Sequence, residues 1–208
     1  MRILLLGATG SLGTHILAQA RERGHLVTAL LRDKTKLSAA PDLRLIEGDA
    51  RNEAALSEAV AGQEAVIHSL GQSRLNQPTT FFSETTRLLL AQMNRQGVRR
   101  LVAVTGIGAG DSRGHGGWLY NNVIFPLFTR LGYEDKDRME ALIRASALDW
   151  VIVRPASFAD GPRRGNLRAL TDLAGVQISK IGRADAASFI LDQLQANDFL
   201  HQSPLVGY

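Results

Sequence analysis

Short apolar runs alternate with longer amphipathic stretches along almost the whole chain. Residues 1–6, 25–31, 43–46, 65–70, 101–104 and 150–153 are each of strand length and nearly continuous in apolar character. Runs of that kind suit parallel strands covered on both faces. Between them the apolar positions return at helical spacing, first at Ile16, Leu17 and Ala20, then over 52–61, 79–96, 133–145 and 185–195. Gly24, after the first helical stretch, is placed as its C-terminal cap.

Each strand–helix–strand step implies a right-handed crossover, so the product is an open sheet with helices on both sides. The expected fold is α/β: a Rossmann-type doubly wound parallel sheet, with residues 1–208 forming a single domain large enough to bury a full core. No internal repeat or low-complexity linker divides it. Ligands of such sheets bind beyond the carboxyl ends of the strands, near the point where the strand order reverses. Those ends fall at Gly7, Arg32, Asp49, Gly71, Thr105 and Pro155.

The first end carries the strongest chemical signal. Residues 1–6 run into Gly7-Ala8-Thr9-Gly10-Ser11-Leu12-Gly13, and a helix follows. A strand that breaks at glycine and restarts as a helix presents free N–H groups and the positive end of the helix dipole, a site for a pyrophosphate. Gly7 permits the tight turn, Gly10 lets phosphates approach the backbone, and Gly13 allows close helix–strand packing. The spacing is G-x-x-G-x-x-G; the context of strand, turn and helix is what makes it informative. Arg2, the apolar run and Ala18-Gln19-Ala20 imitate a secretory signal, but the three glycines and the polar Thr9, Ser11, Thr14 and His15 interrupt it.

Composition narrows the picture without redirecting it. The hydrophobic share is 45%, the charged share 21% and the net charge +4, with the positive residues dispersed and no cysteine. Dispersed charge argues against nucleic-acid binding, and no run approaches a membrane span. A cytoplasmic protein, monomer or homodimer, acting on a small molecule is the expectation. No His/Asp/Glu grouping has metal-ligand spacing, so no metal is expected.

The second strand ends Leu30-Leu31-Arg32-Asp33-Lys34. A carboxylate there would bond ribose hydroxyls, whereas Arg32 suits a 2′-phosphate, with Lys34 or Lys36 as a second cation. NADP(H) is therefore favoured over NAD(H), although Asp33 keeps NAD open. At the third strand's end, Asp49 either accepts from the adenine amine or caps the helix near Asn52, and Ala50 lies beside it. Ser69, Leu70 and Gly71 end the fourth strand, where backbone contacts with the cofactor are expected.

With these residues in place the chain resembles the atypical short-chain dehydrogenase/reductase group, closest to the branch of flavin reductase (biliverdin-IX-beta reductase) and NmrA-like proteins. The resemblance spans nearly the whole length. It rests on residues 7–13, Arg32-Asp33, Gly48-Asp49-Ala50, Gly97 to Val102, Glu140 through Arg154-Pro155, and Ile178-Ser179-Lys180 before Asp185. It implies NAD(P)H binding and, in many members, hydride transfer to a small carbonyl, a quinone or a flavin. Other members bind the cofactor as regulators, so an NADP(H)-sensing protein is the alternative.

Classical members use a serine after the fifth strand and a tyrosine four residues before a lysine, the ammonium lowering the phenol's pKa. Here Thr105 is the hydroxyl at the first place, and Tyr133 precedes Lys136 by three. Two readings stand: a couple on one helix face, or Tyr133 at a helix start with Lys136 on the surface. Lys136 aligns where the flavin-reductase branch can carry a histidine, and acting alone it would steady the nicotinamide ribose or an anionic substrate. Ser157, past Arg154-Pro155, and Pro155 itself complete the candidate site. His68 reads as a buried strand histidine and His115 as part of a mobile loop. The apolar stretch from Val123 to Phe128 reads equally as a lid, a core helix or a dimer surface.

Overall fold

A computed structural model describes all residues from 1 to 208. Its elements follow the alternation. Strand β1 (Arg2–Leu6) leads through α1 (Gly13–Glu22) to β2 (Leu26–Leu31) and, after a 3-10 turn, to β3 (Leu43–Glu47). Then come α2 (Glu53–Val60), β4 (Ala65–His68), α3 (Phe81–Gln96) and β5 (Arg100–Val104). A π-helical segment, Tyr120–Thr129, precedes α4 (Arg130–Arg144), β6 (Asp149–Pro155), β7 (Ser157–Ala159), β8 (Arg168–Leu170), β9 (Lys180–Gly182), α5 (Arg183–Asp192) and β10 (Leu205–Gly207).

The main sheet has the order β3-β2-β1-β4-β5-β6-β10-β8. It is parallel from β3 through β10, and β8 joins antiparallel at the edge. The chain therefore winds outward from β1 to β3 and resumes at β4 on the other side of β1. That reversal puts the ends of β1 and β4 side by side, Leu6 in register with His68.

The continuous apolar runs are explained by two cores. Ile3 and Leu5 enter one layer with α1 and α5; Leu4 and Leu6 enter the other with α2, α3 and α4. Alternate side chains of one strand thus reach opposite faces and both are buried. In α1 the buried positions Gly13, Ile16, Leu17 and Ala20 form one helical stripe. Gln19 fixes that helix to α5 through the Ala184 carbonyl at 2.9 Å.

The N-terminus of α3 is capped only in part from its own side: Thr80 makes no side-chain capping bond, and the Thr79 hydroxyl accepts from the Phe81 amide alone, at 3.1 Å. The carboxylate of Asp135, fully buried on α4, accepts instead from the Phe82 amide at 2.7 Å, the Ser83 amide at 3.3 Å and the Ser83 hydroxyl at 2.5 Å. A negative group at a helix N-terminus also complements the dipole. Asp135→Ala should therefore cost about 2–3 kcal/mol, since charged hydrogen bonds are lost and buried donors are left open. Urea unfolding measures this, and a loss under about 0.5 kcal/mol, the range of ordinary surface changes, would contradict the assignment.

No helix is long and apolar enough to cross a membrane. The predicted helix at 133–145 begins earlier, at Arg130, because it continues directly from the π-helical segment. The reading of that segment as a core helix is not sustained. Trp118, Leu119, Leu127 and Phe128 are exposed, and only Phe125 is buried, against Tyr133.

Candidate cofactor and active site

At the end of β1 the glycines do distinct things. Gly7 has φ of +90°, and a Cβ there would collide with the Ser69 carbonyl. A Cβ on Gly13 would collide with the Gly7 carbonyl, so α1 sits directly on the turn. A Cβ on Gly10 would press on the Gly7 carbonyl oxygen, 3.2 Å away, and meet nothing else, so the glycine's outer side is open. Thr9, Gly10 and Ser11 are exposed. The N-terminus of α1 has no side-chain cap and no acid in its first turn. Open backbone, an uncapped helix end and room above Gly10 fit a diphosphate held by main-chain amides.

The residues expected to face the adenosine lie at the ends of β2 and β3. Arg32 is exposed and makes no ion pair or hydrogen bond within the chain. Its neighbour Asp33 is occupied: the carboxylate caps the 3-10 turn, accepting from the Thr35 amide at 3.0 Å and hydroxyl at 2.5 Å. Those bonds hold Asp33 below the usual carboxyl range. Lys34 is paired with Glu47 at 3.3 Å. Asp49 does not cap α2; Asn52 does, through the Ala55 amide at 3.0 Å. Asp49 instead grips Arg51, at 3.1 and 3.0 Å. Ala50 is buried beside it, and Ser69, Leu70 and Gly71 border Gly7 at the end of β4.

The residues expected to face the nicotinamide lie where β5 and β6 stop. Thr105 is buried and its hydroxyl donates to Glu140 Oε1 at 2.7 Å. Glu140 also accepts from Arg154 Nε at 3.0 Å and Nη2 at 2.7 Å. Arg154 completes its fork on Asp111. This Thr105–Glu140–Arg154–Asp111 chain joins β5, α4, β6 and the loop after β5. Sequence reasoning missed Glu140, Arg154 and Asp111 as members of the site. The available signal was Glu140 at i+4 from Lys136, a second ionisable group on the same helix face.

Tyr133 and Lys136 do share the inward face of α4, and both are buried, which removes the reading of Lys136 as a surface residue. They are not arranged so that one acidifies the other. The Lys136 ammonium donates to the Thr105 carbonyl at 2.5 Å and lies 4.8 Å from the centroid of the Tyr133 ring. Burial and the neighbouring Tyr120 push the Tyr133 hydroxyl well above its ordinary value. Burial draws Lys136 down from 10.5 to about 8, with Glu140 pulling the other way. The Tyr133 hydroxyl sits against Gly106, where a Cβ could not fit.

Pro155 ends β6, its carbonyl accepting from the Ile107 amide at 3.0 Å. Ser157 belongs to a strand, not a turn: β7 pairs with β9, Ser157 opposite Lys180, and its half-buried hydroxyl makes no bond within the chain. His68 is fully buried, 3.3 Å from the Thr86 hydroxyl, and burial lowers it to about 4. His115 is tied down, its Nδ1 2.7 Å from the Val176 carbonyl. No group of three or more metal-binding side chains converges anywhere in the chain.

Comparison with known proteins adds the family. The NAD(P)H-binding family profile matches residues 7–197. A 3-diazoavenalumate denitrifying reductase from Streptomyces sp. is 38% identical over 114 residues, which are 50% of this chain and 37% of that protein. The matched part is thus well under two thirds of that relative's length. An uncharacterized protein, YwnB, from Bacillus subtilis is 28% identical over 207 residues, 94% of this chain and 92% of its own. Among solved structures, the anaerobillin reductase ChuY from Escherichia coli O157:H7 superposes with a TM-score of 0.84 at 21% identity, covering 100% of this chain and 97% of that one. A short-chain dehydrogenase/reductase from Veillonella parvula in complex with NADP gives 0.83 at 20% identity, covering 100% and 94%. At those identities the structural likeness concerns the fold.

Proposed function

The chain belongs to the NAD(P)H-binding family, and from that premise we propose that it is an NADP(H)-dependent oxidoreductase acting on a small carbonyl, quinone or flavin. The observation that carries the cofactor choice is the contrast at the end of β2: Arg32 is free and exposed while the adjacent carboxylate is spent on Thr35. A free guanidinium suits a phosphate monoester through a bidentate, charge-assisted contact. The amides of residues 11–13 hold the diphosphate, the Gly10 amide being spent on the Gly7 carbonyl at 2.9 Å, and Ser69 to Gly71 border it.

When bound, the cofactor supplies the hydride. The chain's part is to hold, orient and exclude water. Lys136 and the Glu140–Arg154 pair fix the ends of β5 and β6, so the surface meeting the reacting ring is rigid. Tyr133 stays protonated at any working pH, which makes its hydroxyl a hydrogen-bond donor and not a base. Ser157 offers a further hydroxyl at this edge.

Arg32→Ala should weaken NADPH binding roughly 10–100-fold and change NADH binding by less than about twofold. Calorimetric titration with both cofactors reads this out, and equal losses for the two would remove the assignment of Arg32. Activity is tested by following NADPH oxidation with aldehydes, quinones and flavins. Tight NADPH binding without turnover on any of them would overturn the reductase reading. It would favour the second one, a cofactor-sensing regulator, which draws support from Thr105 and Lys136 being engaged with the protein itself.

A further inference from the structure

We propose that the cleft between the segment following β4 and the π-helical segment binds the body of the acceptor, and that it selects an aryl carboxylate, a flat apolar group bearing one negative charge. The inference rests on the reductase reading above, for which it supplies the substrate class. Ser73, Arg74, Leu75, Asn76, Gln77 and Phe128 line the cleft, which has a volume of about 440 Å³. Small-molecule sites begin at roughly 300 Å³.

The lining is chemically mixed in a specific way. Phe128 and Leu75 form apolar walls, and Phe128 is 56% exposed. A flat ring laid against Phe128 removes that surface from water and gains an aromatic contact. Arg74 is exposed and makes no ion pair or hydrogen bond within the chain. Between Ser69 and Ser83 there is no acid to compete for it. The nearby Arg130 is engaged with Glu134 at 3.9 Å. One free guanidinium flanked by Asn76 and Gln77 can hold a carboxylate through a bidentate, charge-assisted contact.

The cleft also backs onto the reacting end of the site. The Leu75 carbonyl accepts from the Gly132 amide at 2.8 Å, and Leu75 packs on the cluster of Ala109, Phe125 and Tyr133. The Tyr133 hydroxyl in turn abuts Gly106, at the end of β5. Leu75 therefore belongs both to the wall of the cleft and to the packing around Tyr133.

The test is calorimetric titration of the protein, with and without saturating NADPH, using trans-cinnamate and its neutral counterpart cinnamamide. Cinnamate should bind at least about tenfold more tightly than the amide, the size expected of a charged contact. Arg74→Gln should bring cinnamate down to the amide's affinity, and Phe128→Ala should weaken both ligands. Neither variant should change NADPH affinity by more than about twofold, a shift well below one charged contact. Equal affinity for acid and amide, indifference to Arg74→Gln, or no binding at 10 mM order of magnitude, where only contacts weaker than about 3 kcal/mol escape detection, would each overturn the proposal. The two readings fail separately. Selective cinnamate binding with no reduction of any acceptor sinks the reductase and keeps the cleft; NADPH-driven quinone reduction with acid and amide bound alike does the reverse.

Discussion

Glu140→Ala is expected to destabilise the fold by about 3–5 kcal/mol, because it strands a buried guanidinium. Arg154 is 1% exposed, and two of its three nitrogens are satisfied by Glu140. Its remaining carboxylate, Asp111, stands at the surface with a side chain 71% exposed and cannot replace that acceptor. The Thr105 hydroxyl would lose its acceptor as well. Glu140→Gln, which keeps one acceptor oxygen but no charge, should fall between the two. Replacing both partners, Glu140→Met with Arg154→Met, should recover much of the loss, since the cost lies in the uncompensated charge and not in the missing pair. Urea denaturation gives all four stabilities on one scale. A double variant as unstable as Glu140→Ala alone would refute this account of the network.

Lys136 sets the second large effect, and it appears as a dependence on pH. Its folded value of about 8 lies below the ordinary 10.5, so the folded protein holds this proton less tightly than the unfolded chain does. A base with a depressed value lowers stability while it is charged. That cost is fully present below about pH 8 and is relieved as pH climbs toward 10.5, where the unfolded chain also loses its proton. Relative to Lys136→Met, which cannot titrate, the native protein should therefore gain on the order of 3 kcal/mol between those limits. Taking the difference between the two proteins removes the arginines and tyrosines that titrate elsewhere. A difference that stays flat from pH 7 to 10.5 would mean that Lys136 is not desolvated at all.

The architecture was legible because its signal is long and redundant. Six apolar runs and the helices between them specify the order of a doubly wound sheet, and residues 1–6 in particular could only be a strand buried on both sides. What escaped was short. Strands β7, β8, β9 and β10 have three residues each, too few for any alternation to register. Strand β10 exists because β6 offers Arg154 and Pro155 as partners for Leu205 and Val206, a contact between distant parts of the chain. The π-helical segment was visible as an apolar stretch, but the outward facing of its Ile124, Leu127 and Phe128 has no counterpart in the letters.

The candidate site divides in the same way. The turn at residues 7–13 and the place of Arg32 just past β2 could be read directly, because a backbone turn and a strand end are local features. Asp33 looked like a competitor for Arg32 until Thr35, two residues on, was seen to engage it. Tyr133 and Lys136 share a helix face, as their spacing suggests, yet the direction of the ammonium is decided by Thr105, 31 positions away. Glu140 and Arg154 lie 14 apart, and nothing near either of them reveals that they meet.

The turn after β1 is made of main-chain amides and close-fitting glycines, whereas the end of β2 offers one side chain. On the proposed reading, anchorage and discrimination are accordingly separate properties of this molecule. A lineage could exchange one redox currency for another by altering the stretch from Arg32 to Lys36, leaving untouched the part of the scaffold on which every such nucleotide depends.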